Sequence, residues 1–98
     1  MPRYAIADNL SGRVCGVTTA ENPVAACQMF DRSHGAGGRV YEEHDPRSRS
    51  AHATPNAYAV YEAVTALHRV PEQRGIAATQ IPGMVKVAVV VVRTLPPD

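Results

Sequence analysis

Met84-Val85-Lys86-Val87-Ala88-Val89-Val90-Val91-Val92-Arg93 is the stretch on which the fold turns. Side chains alternate along an extended chain, so Val85, Val87, Val89 and Val91 are expected on one face and Lys86, Ala88, Val90 and Val92 on the other. The run therefore predicts a strand that is apolar on both sides for most of its length, and such a strand needs a packed layer against each face. It is far shorter than the ~20 apolar residues of a membrane-spanning helix. Downstream, residues 95–98 (Leu95-Pro96-Pro97-Asp98) form a tail that cannot extend a ladder, because proline has no amide hydrogen to donate. Upstream, residues 72–82 read as a loop, with Pro71 stopping whatever precedes it.

The preceding stretch, residues 57–70, has two readings. Tyr58, Val60 and Tyr61 favour a strand, whereas Thr54-Pro55 as a cap and first turn, together with Ala57, Ala59, Ala63 and Ala66, favour a helix over 55–70. A strand over 57–64 is preferred. The choice matters beyond the segment itself: a helix supplies the second layer that the valine strand needs, whereas a strand leaves that face as an apolar patch for another subunit to cover.

Farther upstream the signals are local. Residues 4–8 and 13–19 are short β-favouring runs around Asn9-Leu10-Ser11-Gly12, a hairpin signature. Asn22-Pro23 caps and starts a helix over 23–33, in which Val24, Cys27 and Phe30 recur at helical spacing, and Gly35 stops it. Residues 39–43 are expected to return as a third strand. Residues 44–56 are polar, carry two prolines and have no apolar period, so they read as a long mobile loop. The expectation is an α+β fold of β-β-α-β-β-β order: an antiparallel or mixed sheet with one secure helix on one face, in a single domain over 1–94.

Composition bounds the rest. The 98 residues include fifteen Ala and thirteen Val but only three Leu, three Ile, one Phe and no Trp, so the core is built from small side chains. At about 25 cal/mol per Å² of apolar area, alanines contribute little each. Oligomer contacts are one source of the missing stability, and a homo-oligomer joined through the valine strand is expected. Ten cations against nine anions, net +1, lack the footprint of a general nucleic-acid binder. Nine of those ten cations are Arg, a bias expected of a GC-rich bacterial-type genome. Neither a signal peptide nor a membrane span is seen, and two cysteines do not make a disulfide framework, so a cytoplasmic location with reduced thiols is expected.

Candidate chemistry is sparse. Cys15, Cys27, His34, His44, His52 and His68 supply zinc-ligand types, but no two lie close enough for a zinc-binding pair. Neither a metal nor a cofactor is expected. Gly35, Gly37 and Gly38 follow a helix rather than feed one, so they do not form a phosphate cradle. Cys27 lies on the apolar face of its helix, and Cys15 has no His assigned to it by spacing. The best cluster is Asp45-Pro46-Arg47-Ser48-Arg49-Ser50-Ala51-His52, where Arg47, Arg49 and His52 could gather around an anion. No run matches a family motif. The leading reading is a non-catalytic, homo-oligomeric binding or accessory module. The alternatives are weak anion or nucleic-acid binding through the Arg/Ser loop, and a small enzyme using Cys15 or a His.

Overall fold

A computed structural model describes residues 1–35, 37–63 and 74–94. It is a small α+β fold with the strand β1 (Arg3–Asp8), β2 (Val14–Thr19), the helix α1 (Pro23–Ser33), β3 (Arg39–His44), a single helical turn α2 (Arg49–His52), β4 (Ala57–Ala63) and β5 (Met84–Thr94). The five strands form one sheet in the order β2-β1-β4-β5-β3, with every neighbouring pair antiparallel. The expected order of strands and helix is thus present, and residues 57–63 are a strand. The remainder of the 57–70 segment and the tail at 95–98 lie outside the described residues.

Local chemistry accounts for the hairpin and the helix. Between β1 and β2, Asp8 Oδ1 accepts the amides of Leu10 (2.8 Å) and Ser11 (3.0 Å), and Gly12 takes the left-handed φ of +71° that closes the turn. Asn22 Oδ1 caps α1 by accepting the Ala25 amide at 2.8 Å, and Pro23 occupies the first turn, where its missing amide hydrogen has no helical partner to lose. Gly35, at φ +76°, ends the helix by donating its amide to the Arg32 carbonyl at 3.0 Å.

Each face of the sheet has its own cover. On one, Ala26 and Cys27 of α1 pack over Tyr4, Ile6, Val60 and Val90. On the other, Ala78 and Ile81 pack over Ala5, Ala7, Val14, Ala59 and Tyr61, while Ala51 of α2 packs with Ala57, Val89 and Val91. Residues 74–81 are fastened there by Arg13, whose guanidinium donates to the Gly75 carbonyl at 2.6 Å and whose backbone bridges Ala77.

Three features of the structure are not visible in the sequence pattern. The segment 44–56 is not an unanchored loop: His44 completes β3, Ser48 caps α2, and Ala51 is buried against the sheet, with Asn9 Nδ2 donating to the His52 carbonyl at 3.0 Å. Strict alternation along β5 fails at Val87, because Val60 faces Ala88 while Tyr61 faces Lys86, and the extra residue is a bulge. Val87 therefore joins Val90 beneath α1. Finally, Val89 and Val91 are buried by α2 and Val90 is fully buried in the α1 cluster, so each face of that part of β5 carries a layer from its own chain. The apolar run is matched by two thin layers, one of which sequence periodicity does not reveal.

Candidate functional site

The last turn of α1 lowers a carboxylate onto the sheet. Asp31 is 2% exposed and is the single buried charged residue among those described. Its Oδ1 accepts the Tyr58 hydroxyl at 2.5 Å, and its Oδ2 accepts the Tyr41 hydroxyl and Arg39 Nη1, the latter at 3.3 Å. Arg39 and Tyr41 share a face of β3 because they are two residues apart, and Tyr58 reaches the same point from β4 across the intervening β5. A buried charge is tolerated only when paired and hydrogen-bonded, and three donors meet that need. Burial first, and then the bond to Asp31, raise both tyrosine hydroxyls above their ordinary value, so both remain protonated donors at neutral pH. Asp31 in turn holds the Arg39 guanidinium further above its ordinary value.

Beside this network lies a cleft of about 200 Å³, lined among others by Asp8, Arg39, Asn56, Tyr58, Val92 and Thr94. It arises from strand lengths. β5 runs on to Thr94, opposite Arg39, whereas β4 begins opposite Val91, which leaves a recess between the end of β1 and the start of β3. The edge is held by the Val92 amide on the Asn56 carbonyl (2.8 Å) and the Asn9 amide on the Ala57 carbonyl (3.2 Å). Among the described residues, Asp8 Oδ2, the second terminal nitrogen of Arg39, and the Asn56 and Thr94 side chains have no hydrogen-bond partner. The recess thus collects unused donors and acceptors of both charges.

The anion-site candidates from the sequence do not converge. The Arg47 side chain is 92% exposed, with its Nε 3.7 Å from Asp45. Arg49 is an exposed residue at the start of α2. His52 Nε2 is instead 2.8 Å from the Pro46 carbonyl and 3.3 Å from Lys86 Nζ. Burial lowers the Lys86 ammonium below its ordinary value, and the bulge at Val87 is what turns Lys86 to the α2 side. None of these residues lines the cleft.

Cys15 Sγ donates to the Ile6 carbonyl at 3.3 Å, and its thiol is pushed up by burial and, secondarily, by the charge of Asp8. Cys27 is fully buried and is pushed up more strongly, again chiefly by burial. Among the described residues, no group of three or more His, Cys, Asp or Glu side chains could hold a metal ion.

Periodicity does not flag the cleft residues, but one signal was present. Asp31 stands on the stripe of Val24 and Cys27, and an acid at a core-facing helical position requires donors from elsewhere in the chain. Tyr41 and Tyr58 were available as those donors. No protein-family model, curated protein or solved structure matches the chain.

Proposed function

We propose that the protein is a non-catalytic binding module that takes a small polar ligand in the cleft between Asp8 and Arg39. One observation carries this reading: Arg39 lines the cleft while one of its terminal nitrogens is tied to the buried Asp31 and the other has no protein partner among the described residues, so the guanidinium is held in place before any ligand arrives. Preorganisation of this kind lowers the ordering penalty of binding. The chemistry around the cleft favours holding over reacting. The described lining residues include no Cys, His, Ser or Lys, and the Tyr58 hydroxyl is committed to Asp31.

Amide NMR during titration with acetate and with glycine tests the proposal. Saturable shifts at Asp8, Arg39, Asn56 and Thr94 are expected, and they should be lost in Arg39→Gln. If neither probe gives saturable shifts at these positions in the wild-type protein, the cleft is not a binding site.

A further inference from the structure

Asp8 and Arg39 stand at opposite sides of the cleft and make no ion pair with one another. They belong to β1 and β3, which are separated by β4 and β5. Three strand spacings, combined with the four-residue offset of Arg39 from the row that holds Asp8, put roughly 19 Å between those backbones, too far for the two side chains to neutralise each other directly. A negative and a positive group therefore face one recess across a gap floored by Tyr58 and Val92.

We infer that the ligand is a small zwitterion that places a carboxylate on Arg39 and an ammonium on Asp8. This rests on the cleft being a binding site, as proposed above. Charge complementarity sets the orientation. The guanidinium is a planar fork suited to a carboxylate, and one of its terminal nitrogens is already engaged by Asp31, so a second carboxylate meets the remaining donors. Asp8 uses Oδ1 to brace the β1–β2 turn and presents Oδ2, an acceptor for an ammonium. A simple anion would leave Asp8 unanswered and face its charge, and a simple cation would face Arg39. Size restricts the class further. The recess, about 200 Å³, is small and suits an amino acid of few heavy atoms.

The test compares glycine, β-alanine and γ-aminobutyrate, which carry the same two charges at increasing separation, with acetate and methylammonium, which carry one each. Affinities are read from amide shifts or calorimetry. At least one zwitterion is expected to bind about tenfold or more tightly than either single-charge probe, the scale of one additional charge-assisted hydrogen bond. Asp8→Asn retains the Oδ1 acceptor that braces the turn. It should abolish the preference by weakening the zwitterion to the level of acetate, while acetate itself binds no worse. Retention of the wild-type amide pattern away from the cleft establishes that this variant folds. If acetate binds as tightly as every zwitterion, the zwitterion inference is overturned while the cleft survives as an anion site. If no probe binds, both fail. A preference that persists unchanged in Asp8→Asn also overturns the inference, because the ammonium is then held elsewhere.

Discussion

Gly16 of β2 lies directly beneath the ring of Phe30: a Cβ built on Gly16 would stand 2.6 Å from Phe30 Cδ2 and closer still to Cε2. The ring is half-buried and packs 4.3 Å from the His34 ring and edge-on to Tyr58 at 5.9 Å, so moving it disturbs both contacts. Gly16→Ala should therefore destabilise the protein by about 1–3 kcal/mol, the usual range for overpacking. Denaturant midpoints measure this directly. In a Phe30→Ala background the same substitution should be close to neutral, and an undiminished penalty there would show that the ring is not its cause.

Asp31 is the acceptor that joins α1 to β3 and β4. Asp31→Ala should lower stability by about 3 kcal/mol, the upper end for hydrogen bonds to a charged group, and Tyr58→Phe by about 1.5 kcal/mol. Because Tyr41 and Tyr58 share the acceptor, the two Phe substitutions should not be additive, and a double-mutant cycle reads that coupling.

All four tyrosines, Tyr4, Tyr41, Tyr58 and Tyr61, have hydroxyls raised above their ordinary value of 10.0, with burial the leading cause in each. The folded state thus holds these protons to higher pH than the unfolded chain does. The corresponding stability is intact below about pH 10 and is lost as pH rises through the folded-state values. Tyrosinate absorbance should stay low while the protein remains folded, then rise together with loss of circular dichroism. Ionisation of one or more tyrosines near their ordinary value in the folded protein would contradict these environments.

Val90 is fully buried between the sheet and α1, so Val90→Asp should abolish the cooperative melt rather than release a subunit. A soluble variant with an unchanged melting profile and a halved mass would place Val90 in an interface instead.

The two thiols should differ in the native protein. Cys27 should be inert to alkylating reagents and Cys15 slow at neutral pH, because burial disfavours the thiolate in both. Unfolding should expose two reactive thiols, and equally fast labelling of native Cys15 and a free cysteine would rule out the raised thiol.

What the sequence made legible was what neighbours in the chain determine. Asn9 to Gly12 encode a turn, Asn22-Pro23 and Gly35 bound a helix, and the apolar runs encode strands. The hidden features depend on distant partners. Val87 changes face because of a bulge opposite β4, and the apolar anchor of the polar segment from residue 45 is one small residue, Ala51, too small a signal for periodicity to register. The cleft was hidden for the same reason. Arg39 comes to face Asp8 only because β3 pairs with the end of β5 rather than with its neighbours in sequence.

That pairing has a consequence for how the chain is made. Among the described residues β3 forms ladder bonds with β5 alone, Arg39 lying opposite Thr94, so a nascent chain released only as far as β4 contains a third strand with no ladder partner. The β1–β2 hairpin and α1 can assemble early because their contacts are close in sequence, but the strand carrying Arg39 and Tyr41 gains its ladder only once β5 has been synthesised. Truncation anywhere before Met84 should therefore leave the sheet unassembled rather than yield a smaller working domain, and addition of β5 is the step that commits the described strands to their fold.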